Sequence, residues 1–220
     1  MQREIITTAD GSKTIQIKEW NEQYHSKHGA IQEAYHVFIK HGLNLFKNQS
    51  INILEIGFGT GLNAFITFLE TPKLDLNIAY RGVEAYPVSA GELSQLNYIS
   101  ELKAEDFRER FHQMHQSSWE ELVVISDYFT LYKEQCDFKE INAEKSFDLV
   151  YFDAFGARVQ PELWTEDVFT IMFRALKNEG VLVTYAAKGS VRRAMQKVGF
   201  EVERLSGPPG KREMLRATKP

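Results

Sequence analysis

The stretch Leu54-Glu55-Ile56-Gly57-Phe58-Gly59-Thr60-Gly61-Leu62-Asn63 runs from an apolar segment through three alternating glycines into a second apolar segment. Residues 51–56 are typical of a short buried strand, and residues 62–69 of a helix that starts directly after the last glycine. Glycine lets the backbone turn sharply and approach a ligand without a Cβ in the way. The stretch therefore predicts a strand, turn and helix with a nucleotide-type ligand at the carboxyl end of the strand.

Strands and helices alternate along the rest of the chain, which predicts an α/β fold of the doubly wound kind with a mostly parallel sheet. The turn Gly207-Pro208-Pro209-Gly210 separates the last two apolar segments and predicts an antiparallel pair. The other segments are predicted as strands at 77–84, 127–135, 147–152 and 181–185, and as helices at 107–124, 165–176 and 190–198, with a further helix within 86–99 that Pro87 and Ser89 open.

The first 46 residues precede this alternation. Two apolar segments, 4–8 and 14–18, flank the turn dipeptide Asp10-Gly11 and predict a hairpin. Residues 30–46 follow with helical periodicity. We expect residues 1–46 to form a small hairpin and helix packed on the core of one larger domain, residues 47–220, since 220 residues suit a single main domain.

Composition argues against a secreted or membrane protein. The single cysteine, Cys136, excludes an intramolecular disulfide, which is typical of a reducing cytoplasm. The N-terminus lacks the apolar core of a signal peptide, and no apolar run approaches the ~20 residues that cross a bilayer. The sequence therefore predicts a cytoplasmic protein without a membrane partner.

Charge is distributed unevenly along the chain. The formal net charge is −4, yet residues 188–220 hold nine basic and three acidic residues, a local charge of +6. Such asymmetry indicates either an anion-binding face, including one for nucleic acid, or an ordinary solvated surface. Charge alone leaves both interpretations open.

The spacing of the glycines narrows the ligand class. A dinucleotide fingerprint would place its third glycine at position 62, which is leucine; the glycine falls at Gly61 instead. Glu84 ends the second strand, 23 positions further on, where a carboxylate commonly holds ribose hydroxyls. Asp137, after the third strand, is a weaker candidate for the nucleoside site. The alternatives are a structural turn without ligand, an exposed strand-end glutamate and a solvated loop acid.

Asp153 is a carboxylate at a strand end, where a catalytic residue is expected. Asp153 directly follows the apolar strand 147–152, and partly desolvated carboxylates at strand ends are candidates for proton transfer. Phe155, Trp164 and Tyr185 lie near the same edge and could stack on a base, although such aromatics are more often core. The spaced histidine pairs at 25/28 and 112/115 lack a completing cysteine or carboxylate cluster, so no metal site is predicted.

Several segments together resemble one family, the tRNA 5-methylaminomethyl-2-thiouridine methyltransferases of the MnmC/MnmD type. The resemblance runs from about Glu19 to the C-terminus and is less clear between Lys103 and Asp137. The segments that carry it are Tyr24–Glu33, Glu55–Asn63, Tyr151–Phe155, Gln160–Thr165, Tyr185–Arg193 and Gly207–Met214.

The resemblance implies a class I, Rossmann-like methyltransferase with a seven-stranded sheet whose last strand is antiparallel. It implies S-adenosyl-L-methionine as cofactor and the anticodon loop of tRNA as partner, with methylation of the aminomethyl nitrogen on the wobble uridine. Some members carry a fused flavin-dependent oxidoreductase that makes this amine. A chain of this length leaves no room for that domain, so we expect a stand-alone methyltransferase linked to a separate enzyme that supplies the aminomethyl uridine.

These interpretations assign roles to individual residues. Asp153 is the predicted catalytic residue, which accepts or orients an amine hydrogen. The predicted cofactor-binding residues are Glu55, Gly57, Gly59, Gly61, Asn63, Glu84 and Asp137. The predicted substrate-binding residues are Phe155, Lys188, Arg192, Arg193, Lys211 and Arg212. Two other functions compete: an aminopropyltransferase of the spermidine synthase kind, which the basic C-terminal segment argues against, and a non-catalytic module that binds RNA or cofactor.

Overall fold

A computed structural model describes residues 2–220 of the chain. Eleven strands form two sheets within this range. The strands are β1 Arg3–Thr7, β2 Lys13–Ile17, β3 Glu22–Gln23, β4 Gln49–Ile56, β5 Leu76–Val83, β6 Leu122–Ser126, β7 Phe129–Glu134, β8 Phe147–Phe152, β9 Leu176–Thr184, β10 Glu201–Ser206 and β11 Glu213–Thr218.

The helices cover both faces of the larger sheet. None of them, within residues 2–220, is long and apolar enough to cross a bilayer. The α-helices are α1 Ala30–Ala34, α2 Leu62–Glu70, α3 Ala90–Leu93, α4 Tyr98–Glu101, α5 Arg108–Gln116, α6 Glu166–Ala175 and α7 Gly189–Val198. A π-helix spans Tyr35–Lys40, and 3₁₀ helices span Leu43–Leu45, Thr71–Leu74, Glu105–Phe107, Phe138–Glu140 and Pro161–Trp164.

The larger sheet has the order β10-β11-β9-β8-β4-β5-β7-β6. The five strands from β9 to β7 are parallel, and β11 pairs antiparallel with both β9 and β10. The predicted doubly wound, mostly parallel fold with a final antiparallel pair is therefore confirmed. Seven of these strands correspond to the predicted sheet, and β6 is an eighth strand at the edge.

Two predicted helices are corrected by the structure. The segment 107–124 ends its helix at Gln116, and Leu122–Ser126 pairs antiparallel with β7. This run holds Val123, Val124 and Ile125, whose β-branched side chains favour a strand. In the segment 86–99 a capping box at Ser89 starts the helix as predicted, but the helix is interrupted: the segment holds only the short α3 and the start of α4.

Strand β4 shows how the sheet separates two apolar cores. Ile51 and Ile53 pack on the face that carries α1, α2 and α5, whereas Leu54 and Ile56 pack on the face that carries α6 and α7. Alternate side chains of a strand point to opposite faces. A strand buried on both faces reads as a continuous apolar run, and its polar ligand groups must then lie at its carboxyl end.

The N-terminal hairpin forms as predicted, with β1 and β2 antiparallel, and β3 adds a third strand. The predicted helix at 30–46 is interrupted. It passes from α1 into the π-helix and breaks before Gly42, where an added Cβ would lie 2.5 Å from the Phe38 carbonyl oxygen. Close packing of Gly42 against the ring of Tyr151 on β8 explains why a glycine stands at this break.

Candidate active site

A cavity of about 510 Å³ opens at the carboxyl ends of β4, β5 and β8. This volume lies within the range of small-molecule sites. The glycine turn, the Glu84 loop and the Asp153 loop form its floor, and residues 20–28 of the N-terminal segment cover it. Open parallel sheets bind ligands at this edge.

The glycine turn requires its glycines for two reasons. Gly57 has φ of 88°, and a Cβ on it would lie 2.7 Å from the Asp153 carbonyl oxygen. Gly61 has φ of 69° at the start of α2, where the ring of His115 lies 2.8 Å from the position of a Cβ. Gly57 and Gly59 line the cavity, whereas Gly61 is buried beneath it. Gly61 turns the chain into the helix, and its contact with the cofactor stays a prediction.

Glu84 lies at the cavity wall, as predicted. Its Oε2 accepts a hydrogen bond from the backbone N–H of Gly59 at 3.0 Å, and its Oε1 accepts one from Tyr86 N–H at 2.9 Å. Burial raises the pKa of Glu84, and these N–H groups oppose the rise. Each carboxylate oxygen can accept a further hydrogen bond, so the geometry suits a pair of ribose hydroxyls.

Glu55 stands behind this wall and does not reach the cavity. Its side chain is fully buried and accepts hydrogen bonds from Asn63 Nδ2 at 2.9 Å and from Tyr80 OH at 2.8 Å. Burial raises the pKa of Glu55 well above its ordinary value. A side chain without exposed surface can act on a ligand through Asn63, which it fixes, and the role of Glu55 in cofactor binding stays a prediction.

Asn63 connects Glu55 to Asp153. Its Nδ2 also donates to Asp153 Oδ2 at 2.8 Å, so one amide group holds both carboxyls. Burial and, to a smaller extent, the nearby carboxylate of Glu33 raise the pKa of Asp153 to about 7, against the lowering effects of the Asn63 hydrogen bond and of Lys211. A carboxyl with a pKa near neutrality is suited to accept a proton at physiological pH.

Glu33 is a site residue that sequence reasoning did not single out. It lies on α1, is 6% exposed, and its Oε1 is 2.5 Å from the Nζ of Lys211. The same ammonium group lies 3.7 Å from the ring centre of Tyr185. The segment Tyr24–Glu33 belongs to the family resemblance, which was the available signal, but its chemistry depends on a partner 178 residues away.

An aromatic cluster surrounds the predicted substrate residue Phe155 at the cavity mouth. Its ring packs edge-on against Trp20 at 5.5 Å and against Tyr24 at 5.0 Å between ring centres. Arg158 holds the covering turn, because it donates to the carbonyl of Trp20 at 2.9 Å and pairs with Glu22. The N-terminal segment therefore completes the cavity.

Asp137 lies exposed at the rim of the cavity. Its Oδ1 accepts from the N–H of Lys139 at 2.9 Å, and it forms a capping box with Glu140 at the start of a 3₁₀ helix. The hydrogen bond from Lys139 uses Oδ1. The other oxygen, Oδ2, is available for the predicted contact with the nucleoside.

The predicted basic residues divide into two groups. A second cavity of about 660 Å³ shares Tyr185 and Lys211 with the first, and Lys188 and Arg212 line it. Arg192 and Arg193 lie on α7 and do not line either cavity. Within residues 2–220, no ion pair is found for the four residues Lys188, Arg192, Arg193 and Arg212.

Comparison with known proteins identifies the class of enzyme. Residues 95–220 match the family described as S-adenosyl-L-methionine-dependent methyltransferase. The chain belongs to this family. The cofactor of the methyltransferase is therefore S-adenosyl-L-methionine, and the glycine turn and the free hydrogen-bonding capacity of Glu84 fit its nucleoside part.

Curated relatives of the methyltransferase are bifunctional proteins named for tRNA 5-methylaminomethyl-2-thiouridine biosynthesis, MnmC. The protein of Idiomarina loihiensis is 29% identical over 210 residues, which cover 87% of this chain and 34% of the relative. That of Leptospira borgpetersenii is 31% identical over 211 residues, covering 87% and 31%. The chain thus spans about a third of the length of these relatives, and the resemblance to the MnmC type is confirmed.

Solved structures support the fold. The MNMC2 protein of Aquifex aeolicus superposes with a TM-score of 0.78 at 27% identity, covering 100% of this chain and 71% of that one. The spermidine synthase of Thermotoga maritima gives a TM-score of 0.61 at 12% identity, covering 99% and 68%. The second likeness concerns the fold alone and gives no support to the aminopropyltransferase alternative.

Proposed function

We propose that the methyltransferase methylates the aminomethyl nitrogen of 5-aminomethyl-2-thiouridine at the wobble position of tRNA. The relatives named for this pathway support the substrate. The observation that carries the chemistry is Asp153, a carboxyl with a pKa of about 7 at the junction of the glycine turn and the aromatic mouth.

The cofactor would lie across the glycine turn, with its ribose hydroxyls on Glu84 and its base near the rim at Asp137. Bound S-adenosyl-L-methionine supplies an electrophilic methyl group on a positively charged sulfur. Asn63 Oδ1 is buried and lacks a hydrogen-bond partner among the described residues, so it is available to a donor on the ligand. Gly57 and Gly59 let the backbone approach without a Cβ in the way.

Asp153 would prepare the nucleophile. A primary amine is largely protonated near neutral pH and must lose a proton before its lone pair can attack. Asp153 Oδ2 is occupied by Asn63, so Oδ1 is the atom that accepts this proton. Asp153 would hold this proton until it passes to solvent, which leaves the nitrogen lone pair available to the methyl group that the bound cofactor would supply, with the demethylated cofactor as the leaving group.

The wobble base would reach this site from outside. Bases of a single-stranded loop can be splayed into a pocket at a low unstacking cost. Phe155, with Trp20 and Tyr24, offers aromatic surface at the mouth, and Lys188 and Arg212 lie in the adjoining cavity where flanking phosphates would pass. Arg192 and Arg193 would contact phosphates further out.

This substrate sets the cellular context that we propose. The enzyme would act on tRNA in the cytoplasm, and an oxidative enzyme activity that releases the aminomethyl uridine would precede it. The MnmC relatives are named bifunctional, so in them more than one activity resides in a longer chain.

The test is incubation of the protein with labelled S-adenosyl-L-methionine and tRNA from a strain that lacks its gene, followed by nucleoside analysis. We expect label on the aminomethyl-thiouridine nucleoside. Asp153→Asn should lower turnover by a factor on the order of 10² or more, with cofactor binding retained, because it removes the proton acceptor and preserves the size of the side chain. Label on another nucleoside, or unchanged turnover in Asp153→Asn, would contradict the proposal.

A further inference from the structure

The Lys211 ammonium group lines the same cavity as Asp153 and lowers the pKa of that carboxyl, and yet its direct contacts are with other residues. Its Nζ lies 2.5 Å from Glu33 Oε1 and over the ring of Tyr185, whose hydroxyl is fixed by donation to the Ala154 carbonyl at 2.8 Å. Lys211, Glu33 and Asp153 all line the same cavity. Without Glu33, the cation would have Asp153 as its available carboxylate.

The carboxylate of Glu33 is held by a second hydrogen bond besides the one to Lys211. Its Oε2 accepts from the backbone N–H of Ser26 at 2.8 Å, in the segment that covers the cavity. One buried carboxylate therefore joins α1, the covering segment and the loop between β10 and β11. The loop also contacts the covering segment at Gly210, where an added Cβ would lie 2.2 Å from the His28 ring.

Asp153 is surrounded by groups from every neighbouring element. Glu33 on α1 raises its pKa, and Lys211 lowers it. Tyr185 after β9 and Asn63 on α2 complete the immediate surroundings, with Glu55 on β4 and Tyr80 on β5 behind Asn63. Glu22, Glu84, His25 and His28 line other parts of the cavity. Arg3, Lys27 and Lys139 also line the cavity, but Lys211 is the cation whose charge lowers the pKa of Asp153.

We propose that Glu33 is a positioning residue: it holds the Lys211 ammonium group on the Tyr185 ring and so keeps this cation from pairing with Asp153. An Asp153 that is paired with lysine would be a poor proton acceptor, since the positive charge favours the ionised carboxylate. This inference rests on the proposed function for the role of Asp153, whereas the arrangement itself can be measured without substrate.

The first test is a carbon-detected NMR titration of the Asp153 carboxyl in the protein without cofactor or tRNA. Glu33→Asp keeps the negative charge but withdraws it from Lys211, and Glu33→Gln removes it. We expect both to lower the pKa of Asp153 by at least about one unit from about 7, because Lys211 is released toward Asp153; in Glu33→Gln the direct raising effect of the Glu33 charge is lost as well. Lys211→Met should raise the pKa, and the double variant Glu33→Gln/Lys211→Met should show a smaller fall than Glu33→Gln, because only the direct effect of the Glu33 charge is then missing.

Glu70→Gln is the matched control. Glu70 also accepts from a tyrosine hydroxyl and from a lysine, Tyr35 at 2.9 Å and Lys73 at 2.7 Å, but it lies outside the cavity. It should leave the Asp153 titration unchanged. An unchanged Asp153 pKa in Glu33→Asp would overturn the positioning role, because the charge alone would then account for the effect of Glu33. Should Glu33→Gln fail to fold, Glu33→Asp decides.

Activity supplies the second readout. The acid limb of the kcat/KM profile should move to lower pH in Glu33→Asp, with kcat reduced about tenfold and the KM for S-adenosyl-L-methionine unchanged. A shifted Asp153 titration together with inactivity of the wild type toward tRNA would contradict the proposed function but not the arrangement. A full wild-type kcat in Glu33→Asp would contradict the positioning role itself.

Discussion

At the scale of residues, the side-chain amide of Asn63 joins two carboxyl groups, those of Glu55 and Asp153. Asn63 donates to Glu55 on one side and to Asp153 on the other, at 2.9 and 2.8 Å. Both carboxyls have raised pKa values because burial disfavours their charged forms. The ionised forms of these carboxyls are thus unfavourable where the proposed reaction needs a proton acceptor, and such shifted pKa values are common in active sites.

The raised pKa of Asp153 predicts how stability depends on pH. Between its ordinary value of 3.8 and about 7, the folded protein holds a proton that the unfolded chain releases, so this group lowers stability as pH rises. Asp153→Asn cannot ionise. Its melting temperature should therefore exceed that of the wild type by more at about pH 8 than at about pH 5.

Thermal unfolding followed by circular dichroism at both pH values measures this difference. Asp127→Asn, which alters an exposed carboxylate between β6 and β7, serves as the control and should show no such pH dependence. An equal gain of Asp153→Asn over the wild type at both pH values would mean that Asp153 ionises as freely in the folded protein as in the unfolded chain.

At the scale of elements, the turn between β4 and α2 is built against the end of β8. Gly57 packs on the backbone of Asp153, so the glycine turn and the loop that follows β8 share one contact. Gly59 in turn donates to Glu84 after β5. Three strand ends are thus fixed relative to one another by contacts of the glycine turn's backbone, which explains how loops can hold a site with little freedom.

Gly57→Ala tests this contact. The left-handed φ of 88° disfavours alanine by about 1–2 kcal/mol, and the new Cβ would press on the Asp153 carbonyl at 2.7 Å. We expect at least a tenfold weaker affinity for S-adenosyl-L-methionine, measured by isothermal titration calorimetry, together with a lower melting temperature. Gly91→Ala in α3, where no atom lies within 4 Å of the new Cβ, should leave both unchanged or raise stability slightly. Wild-type affinity in Gly57→Ala would show that the turn can relax.

At the scale of the whole molecule, ion pairs within the protein decide how many basic residues of the C-terminal segment remain available to bind anions. Lys197 pairs with Glu166, and Arg216 pairs with Glu203. Lys219 is buried and donates to two backbone carbonyls. The charge of +6 counted along the segment therefore overstates its attraction for anions. Only the basic residues without such partners contribute fully to that attraction.

Four residues, Lys188, Arg192, Arg193 and Arg212, carry the resulting prediction. Their combined replacement by glutamine should weaken tRNA binding and reduce the slope of log Kd against log salt by about 3, because each phosphate contact contributes ~0.7–0.9. Filter binding at several salt concentrations measures the slope. Replacement of the four exposed residues Lys47, Lys103, Arg108 and Arg110 should change it little. Equal effects of the two sets would mean that tRNA is attracted by total charge and has no defined path.

Local sequence patterns were enough to predict most of the fold. The glycine turn, the apolar strands 51–56 and 147–152, and the helix that ends at Gly199 follow from periodicity and from glycine stereochemistry, which act over a few residues. The errors at 30–46 and 107–124 arose where close packing of Gly42 or pairing with β7 outweighed helical periodicity.

The sequence by itself determined the strand-end candidates, since Asp153 and Glu84 must lie at the carboxyl edge of a parallel sheet whatever else surrounds them. Only the tertiary structure decided that Glu55 stands behind Asn63, that residues 20–28 cover the cavity, and that Glu33 holds Lys211 beside Asp153. These contacts join residues far apart in the chain, and their energies depend on burial and distance, which no local pattern contains.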